Sequence, residues 1–239
     1  PYMEAAGMAC DFVGHPVVSE PGATDAEVAA FREAEGLADA PVVLVLPGSR
    51  RAEVGRLAPI FGEALRAVVA SIPEARVVVP AAAPGASTVI DAVKAWPGDP
   101  VVLDPRSDPG AGTRKRAAFR AANVALAASG TVSLELAAAG TPMVVAYDMN
   151  WLSWQIMSRM ARIDTVTLVN LITGQKAVPE FLGPACQPAP IAAALSALLD
   201  DQATRAKQLA AMGETMAALG RGGEAPGLRA ARAVLKGLT

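Results

Sequence analysis

Two short stretches of this chain carry residue types that hold anions. The first is Pro47-Gly48-Ser49-Arg50-Arg51, directly after the apolar run Val42–Leu46. Glycine lets a backbone approach a ligand closely, serine offers a hydroxyl, and arginine presents forked donors matched to phosphate oxygens. Read alone, the stretch serves equally well as an ordinary turn, with Gly48 at the bend and Ser49 capping a helix. The second is Ser129-Gly130-Thr131-Val132-Ser133-Leu134-Glu135. A Ser-Gly-Thr turn that opens a helix aims backbone N–H groups and the positive helix end at an anion. Thr131 and Glu135 are four apart and share a face, with the carboxylate one turn, about 5.4 Å, below that end. A carboxylate there can accept the hydroxyls of a ribose while the helix end holds a diphosphate. The plainer alternative is a capped helix with a solvated glutamate. The apolar neighbours Leu134, Leu136 and Ala137 tilt the balance towards a purpose.

Both stretches follow strand-like runs. Such runs recur at 42–46, 76–79, 101–103, 123–127 and 142–146, with helical stretches at 57–70, 86–95, 113–121 and 132–139 between them. Continuous apolar strands alternating with helices predict an α/β fold, a doubly wound Rossmann-like parallel sheet with helices on both faces. Ligands of such sheets sit beyond the carboxyl ends of the strands, where both stretches fall. Helices are further expected at 151–162, 189–200, 202–218 and 225–236, with a short turn near 179–182. Residues 1–20 read as an interdomain hinge segment, 21–220 as the Rossmann-like domain, and 221–239 as a terminal helix reached through the linker 221–226 (RGGEAP).

Composition narrows the chemistry. The net charge of −2 over 239 residues gives no electrostatic case for nucleic acid as a partner. Only Cys10 and Cys186 occur, far apart, which suits a reducing compartment. The single histidine, His15, excludes a His-His zinc site and argues against a Ser-His-Asp triad. No cofactor is expected. No secretory signal opens the chain, and a start at Pro1 suggests that an upstream part is missing. Residues 121–147 hold one charge, Glu135, but their small residues and the Gly140-Thr141-Pro142 break favour buried strands over a membrane span.

Other features invite functional readings and have bland alternatives. Residues 109–116 (PGAGTRKR) imitate a phosphate loop without meeting either glycine-rich pattern, and read as a flexible basic loop with Arg114, Lys115, Arg116 and Arg120. Contact with an anionic lipid surface is the lesser reading there. The Trp and Met stripe of 150–163 is expected to be core, with acyl-chain or membrane contact the minority reading. His15 reads as a hinge packing residue. Asn170, set among apolar residues, needs partners, and periodicity leaves open whether those are structural or a ligand.

In combination, FVGHPVV (12–18), LVLPGSRRAEVGRLAPIF (44–61), ALAASGTVSLELAAAGTPMVVAYDM (125–149) and VTLVNLITGQKAVPEFL (166–182) resemble the lipid-A-disaccharide synthases. The resemblance covers most of residues 12–182 and weakens beyond. It implies a GT-B glycosyltransferase of two Rossmann-like domains, working without metal. The reaction implied is transfer of diacylglucosamine from UDP-2,3-diacylglucosamine to 2,3-diacylglucosamine 1-phosphate, with release of UDP, in lipid A biosynthesis. The place implied is cytoplasmic, peripheral on the inner membrane of Gram-negative bacteria.

Carried onto this sequence, the resemblance implies that Gly48, Ser49 and Arg50 face the donor diphosphate, with Arg50 stabilising the leaving group. Ser129, Gly130 and Thr131 would form the second phosphate-facing turn, Glu135 would hold the ribose, Tyr147 and Met149 would border the uracil, and Asn170 would line the cleft. The chain looks like the C-terminal, nucleotide-binding half alone. The acceptor site and general base would lie in the other half, so residues 1–239 are expected to bind UDP or a UDP-sugar without catalysing transfer. The apolar face of the last helix (Leu228, Ala231, Leu235) is expected to cross to that half or to form a homodimer. Two rivals remain at this point. One is another GT-B enzyme acting on a UDP-N-acetylhexosamine (a 2-epimerase or peptidoglycan transferase). The other is a non-catalytic nucleotide-binding scaffold.

Overall fold

The computed structural model describes residues 2–150, 154–155 and 165–237. The expected helix at 151–162 and most of the Trp/Met stripe lie outside the described residues. Among the described residues, six strands form one parallel sheet: β1 (Val42–Leu46), β2 (Arg76–Pro80), β3 (Val101–Leu103), β4 (Val124–Ala128), β5 (Met143–Tyr147) and β6 (Glu180–Leu182). Their order is β3-β2-β1-β4-β5-β6, with every neighbouring pair parallel. The chain winds outward from β1 through β2 to β3, then returns to lay β4 on the other side of β1. The β1/β4 boundary is therefore the switch point, where helices leave the sheet on opposite faces and open a crevice.

The described helices are α1 (Tyr2–Ala5), α2 (Asp25–Ala34), α3 (Arg51–Ser71), α4 (Ala86–Val93), α5 (Ala111–Ala121), α6 (Val132–Ala139), α7 (Leu168–Thr173), α8 (Pro188–Asp200), α9 (Gln202–Ala218) and α10 (Pro226–Lys236). Strand side chains alternate between faces. Val42, Leu44 and Leu46 of β1 meet Phe31 of α2, Ala117 and Ala118 of α5, Leu134 of α6 and Met212 of α9. Val43 and Val45 meet Leu57, Phe61 and Leu65 of α3 with Ile191 and Leu195 of α8. Both faces are covered, so β1 and β4 are buried along their whole length. This is the doubly wound class that the apolar runs predict.

Some expectations need correction. The residues at 179–182 are not simply a turn: Glu180–Leu182 pair with Val145–Tyr147 as the edge strand β6. Helix α3 begins at Arg51 rather than 57 and carries Pro59 inside it. Burial of Val54, Leu57, Ala58 and Phe61 outweighs the roughly 3 kcal/mol that an interior proline costs. The supposed flexible basic loop of 109–116 is largely the start of α5, and its cations are engaged. Arg114 bonds Asp108 and Glu35, Lys115 bonds Glu135, and Arg120 bonds Asp25 and the Ala23 carbonyl. No helix among the described residues is long and apolar enough to cross a membrane.

The segment before β1 is tied to the end of the chain. His15 accepts from the Val17 amide at 3.2 Å through Nδ1, capping a 3-10 turn at Pro16–Ser19. Its own amide donates to the Leu219 carbonyl, and Arg229 of α10 donates to the Phe12 carbonyl at 2.8 Å. Residues 12–17 and α10 thus meet at the C-terminal end of α9.

Candidate functional site

The C-terminal ends of β1, β2 and β4 surround a cavity of about 410 Å³ at the switch point. Leu46, Pro80 and Ala128, the last residues of those strands, form its base. Gly48, Ser49 and Arg50 line one side, and Ser129, Gly130, Thr131 and Glu135 the other. Two stretches some 80 residues apart in sequence therefore converge because their strands are hydrogen-bonded neighbours.

The two helix ends at this cavity are unequal. At α3, Gly48 holds φ +116, and a Cβ there would run into the Glu53 carboxylate folded over it. Glu53 Oε2 accepts from the Ser49 amide at 2.9 Å. The start of α3 therefore supplies its own anion, which satisfies a donor and favours the positive helix end. Gly85, just before α4, comes equally close: a Cβ on it would lie 2.9 Å from the Ser49 carbonyl. The turn is thus held from both sides, with Ser49 and Arg50 exposed at its tip.

At α6, Thr131 is the N-cap residue and makes no side-chain cap bond. The Ser133 hydroxyl is turned back to the Gly130 carbonyl at 2.9 Å. Among the described residues no carboxylate folds over this end as Glu53 does over α3, so α6 is the better placed of the two to receive an anion. Arg50, whose side chain makes no cap bond, is the cation available from the opposite wall. Glu135 stands one turn down α6, half-buried, and its Oε2 accepts from Lys115 Nζ of α5 at 2.6 Å.

Three expected site residues lie elsewhere. Asn170 does not line this cavity. It is 3% exposed, its Nδ2 donates to the Val178 carbonyl and to Glu180, and its Oδ1 accepts from the Val178 amide. It clamps α7 to the chain leading into β6, which accounts for a buried amide among apolar residues. Tyr147 packs partly against the core face shared with α3 and α8. Met149 lines a separate cavity of about 240 Å³ with Asp148, Trp154, Gly183 and Cys186. There, burial pushes the Cys186 thiol up to about 11, with the Asp148 charge adding to it.

Glu53, Lys115, Ala81 and Ala82 also line the cavity, and the sequence places none of them there, Lys115 reading only as part of a basic loop. Lys115 had a legible signal: it sits four residues before Phe119, on the α5 face that meets α6. Among the described residues, no three His, Cys, Asp or Glu side chains gather in a way that could hold a metal ion.

Comparison with known proteins agrees with this fold. The fold resembles that of the Anabaena HepE protein in complex with UDP and glucose, with a TM-score of 0.57 at 14% identity over 92% of this chain and 54% of that one. It also resembles E. coli ADP-heptose lipopolysaccharide heptosyltransferase II, with a TM-score of 0.53 at 14% identity over 75% and 53%. At such identities the likeness establishes the fold, one Rossmann-like half of the GT-B type. Sequence relatives are far nearer. The lipid-A-disaccharide synthase of Ruegeria pomeroyi is 62% identical over 98% of this chain and 58% of its own length. That of Rhodospirillum centenum is 43% identical over 100% and 58%. This chain therefore spans about 58% of the length of these curated relatives. The family described as lipid-A-disaccharide synthetase matches residues 1–226. On that match and these identities, the chain belongs to the lipid-A-disaccharide synthetase family.

Proposed function

We propose that this chain is the donor-binding half of a glycosyltransferase that moves diacylglucosamine from UDP-2,3-diacylglucosamine to 2,3-diacylglucosamine 1-phosphate, releasing UDP. The observation that carries the reading is the convergence of Arg50, the open start of α6 and Glu135 on one switch-point cavity, in a chain of this family. The donor diphosphate lies at Gly130 and Thr131 with Arg50 opposite, and the ribose hydroxyls fall to Glu135. In-line attack by the acceptor 6-hydroxyl inverts the anomeric centre and builds charge on the departing diphosphate. Arg50 and the helix end are in place to stabilise that charge without reorganising. The base that takes the acceptor proton, and the acceptor site itself, belong to residues outside 1–239.

Residues 1–20 act as a hinge to the other half, consistent with their ties to Leu219 and Arg229. The α10 face, with Leu228, Val234 and Leu235 all more than half exposed, packs on that half or on a second copy. The intact protein works peripherally at the cytoplasmic face of the inner membrane. The test is an assay of the intact protein with both diacylated substrates, comparing wild type with Arg50→Ala. Disaccharide formation by wild type, reduced at least tenfold in the variant, is the expected result; absence of transfer by wild type rejects the reading.

A further inference from the structure

Lys115 is a cation in the cavity that the reading above does not use. Helix α5 delivers it from a sequence stretch with no phosphate-binding pattern, into the wall that holds Glu135. Its Nζ lies 2.6 Å from Glu135 Oε2 and 5.1 Å from the centroid of the Phe119 ring. Phe119 is 3% exposed, so the ammonium rests on a fixed aromatic face as well as on a carboxylate. Lys115 and Glu135 also line a neighbouring groove of about 370 Å³, bounded by Val17, Ala23 and Phe119. The ion pair is the partition between that groove and the switch-point cavity.

We infer that Lys115 is the positioning and specificity-determining residue that makes Glu135 a reader of ribose, an inference that rests on the donor reading above. Two physical arguments support it. The first is geometric. Among the described residues, Glu135 Oε2 accepts from Lys115 and Oε1 accepts from none, so the pair fixes the carboxylate and leaves one oxygen for a sugar hydroxyl. Without the ammonium, the glutamate side chain regains its rotamers, and each must be frozen again when a ribose binds. The second is electrostatic. The charged side chains lining the cavity are Arg50, Lys115, Glu53 and Glu135, a balanced set. Removing Lys115 leaves an excess negative charge about one helix turn from the end that receives a diphosphate. A carboxylate can sit beside a diphosphate site only if its charge is offset, and Lys115 is the group in contact with it.

Lys115 acts through Glu135, so its signature is a loss of discrimination and not only a loss of affinity. The experiment is calorimetric titration of residues 1–239 with UDP and with 2′-deoxy-UDP. The proteins compared are wild type, Lys115→Met, Lys115→Arg, Glu135→Gln and the Lys115→Met/Glu135→Gln pair. The expected result is that wild type prefers UDP and that Lys115→Met lowers this preference at least about fivefold while weakening both ligands. Lys115→Arg should restore most of the preference, because a guanidinium can hold the same carboxylate. In the Glu135→Gln background, Lys115→Met should change the preference little. An unchanged preference in Lys115→Met, whatever its absolute affinity, overturns the inference and leaves the donor reading standing. The inference is equally overturned if the preference falls as far with glutamine at 135 as with glutamate. Failure of wild type to bind either nucleotide overturns the inference and the donor reading together.

Discussion

The Ser49 amide donates to Glu53 Oε2 at 2.9 Å, so the first turn of α3 is closed by its own glutamate across the bend at Gly48. This bond decides between the two helix ends at the switch point. The α3 end is occupied from within, whereas the α6 end carries no side-chain cap bond from Thr131. It also makes a stability prediction. Gly48→Ala forces a side chain into a left-handed conformation and against the Glu53 carboxylate, a cost of about 1–3 kcal/mol. Denaturant unfolding should register that loss. Adding Glu53→Ala should recover the steric part, so the two changes should be clearly non-additive.

Arg50 is exposed at the tip of this turn and makes no cap bond with α3. Arg50→Ala is therefore expected to leave stability within about 0.5 kcal/mol of wild type. UDP affinity should fall by one to two decades, roughly the 1.5–3 kcal/mol of a hydrogen bond to a charged group. Thermal unfolding alongside calorimetry separates the two effects.

Asn170 offers the converse case. Its amide is buried and fully occupied by Val178 and Glu180, so Asn170→Ala strands the Val178 amide and carbonyl. The expected cost is about 1–3 kcal/mol of stability, with UDP affinity of the folded protein changed less than about twofold. A large drop in affinity with stability intact would return Asn170 to the cleft.

The two cysteines should differ sharply in reactivity. Cys10 is exposed, whereas Cys186 is buried and its thiol is pushed up to about 11 from an ordinary value near 9. At pH 8 its thiolate fraction is about a hundredfold below that of an unperturbed thiol. Alkylation followed by mass spectrometry should therefore label Cys10 rapidly and Cys186 only on unfolding. The linked stability has a definite sign. Folding favours the protonated thiol, so its contribution is complete below about pH 9 and is lost as pH rises towards 11.

The elements with the clearest physical signature were the legible ones. β1 and β4 are buried on both faces, and such strands must be unbroken apolar runs, which Val42–Leu46 and Val124–Ala128 are. β6 has three residues, each half-buried at the sheet edge, and nothing in Glu-Phe-Leu separates it from a turn. α2 is hard to read from sequence although Thr24 and Glu27 form a capping box, because its helix buries only Phe31. Pro59 hid the first two turns of α3. At the site, chain-local features were legible: glycine at a bend, arginine beside it, and a carboxylate one turn inside a helix. Contacts between distant segments were not. Lys115 reaches Glu135 across 20 residues, and Asn170 meets Glu180 through a strand whose existence was not anticipated.

The central claim is that the β1/β4 switch point receives the diphosphate of a uridine nucleotide, with Arg50 on one side and the start of α6 on the other. Calorimetric titration of residues 1–239 with UDP, ADP and GDP tests it most directly, using wild type and Arg50→Ala. The account predicts saturable binding of UDP in preference to ADP and GDP, weakened by one to two decades in Arg50→Ala. Absence of UDP binding, or UDP binding that Arg50→Ala leaves unchanged, would contradict it.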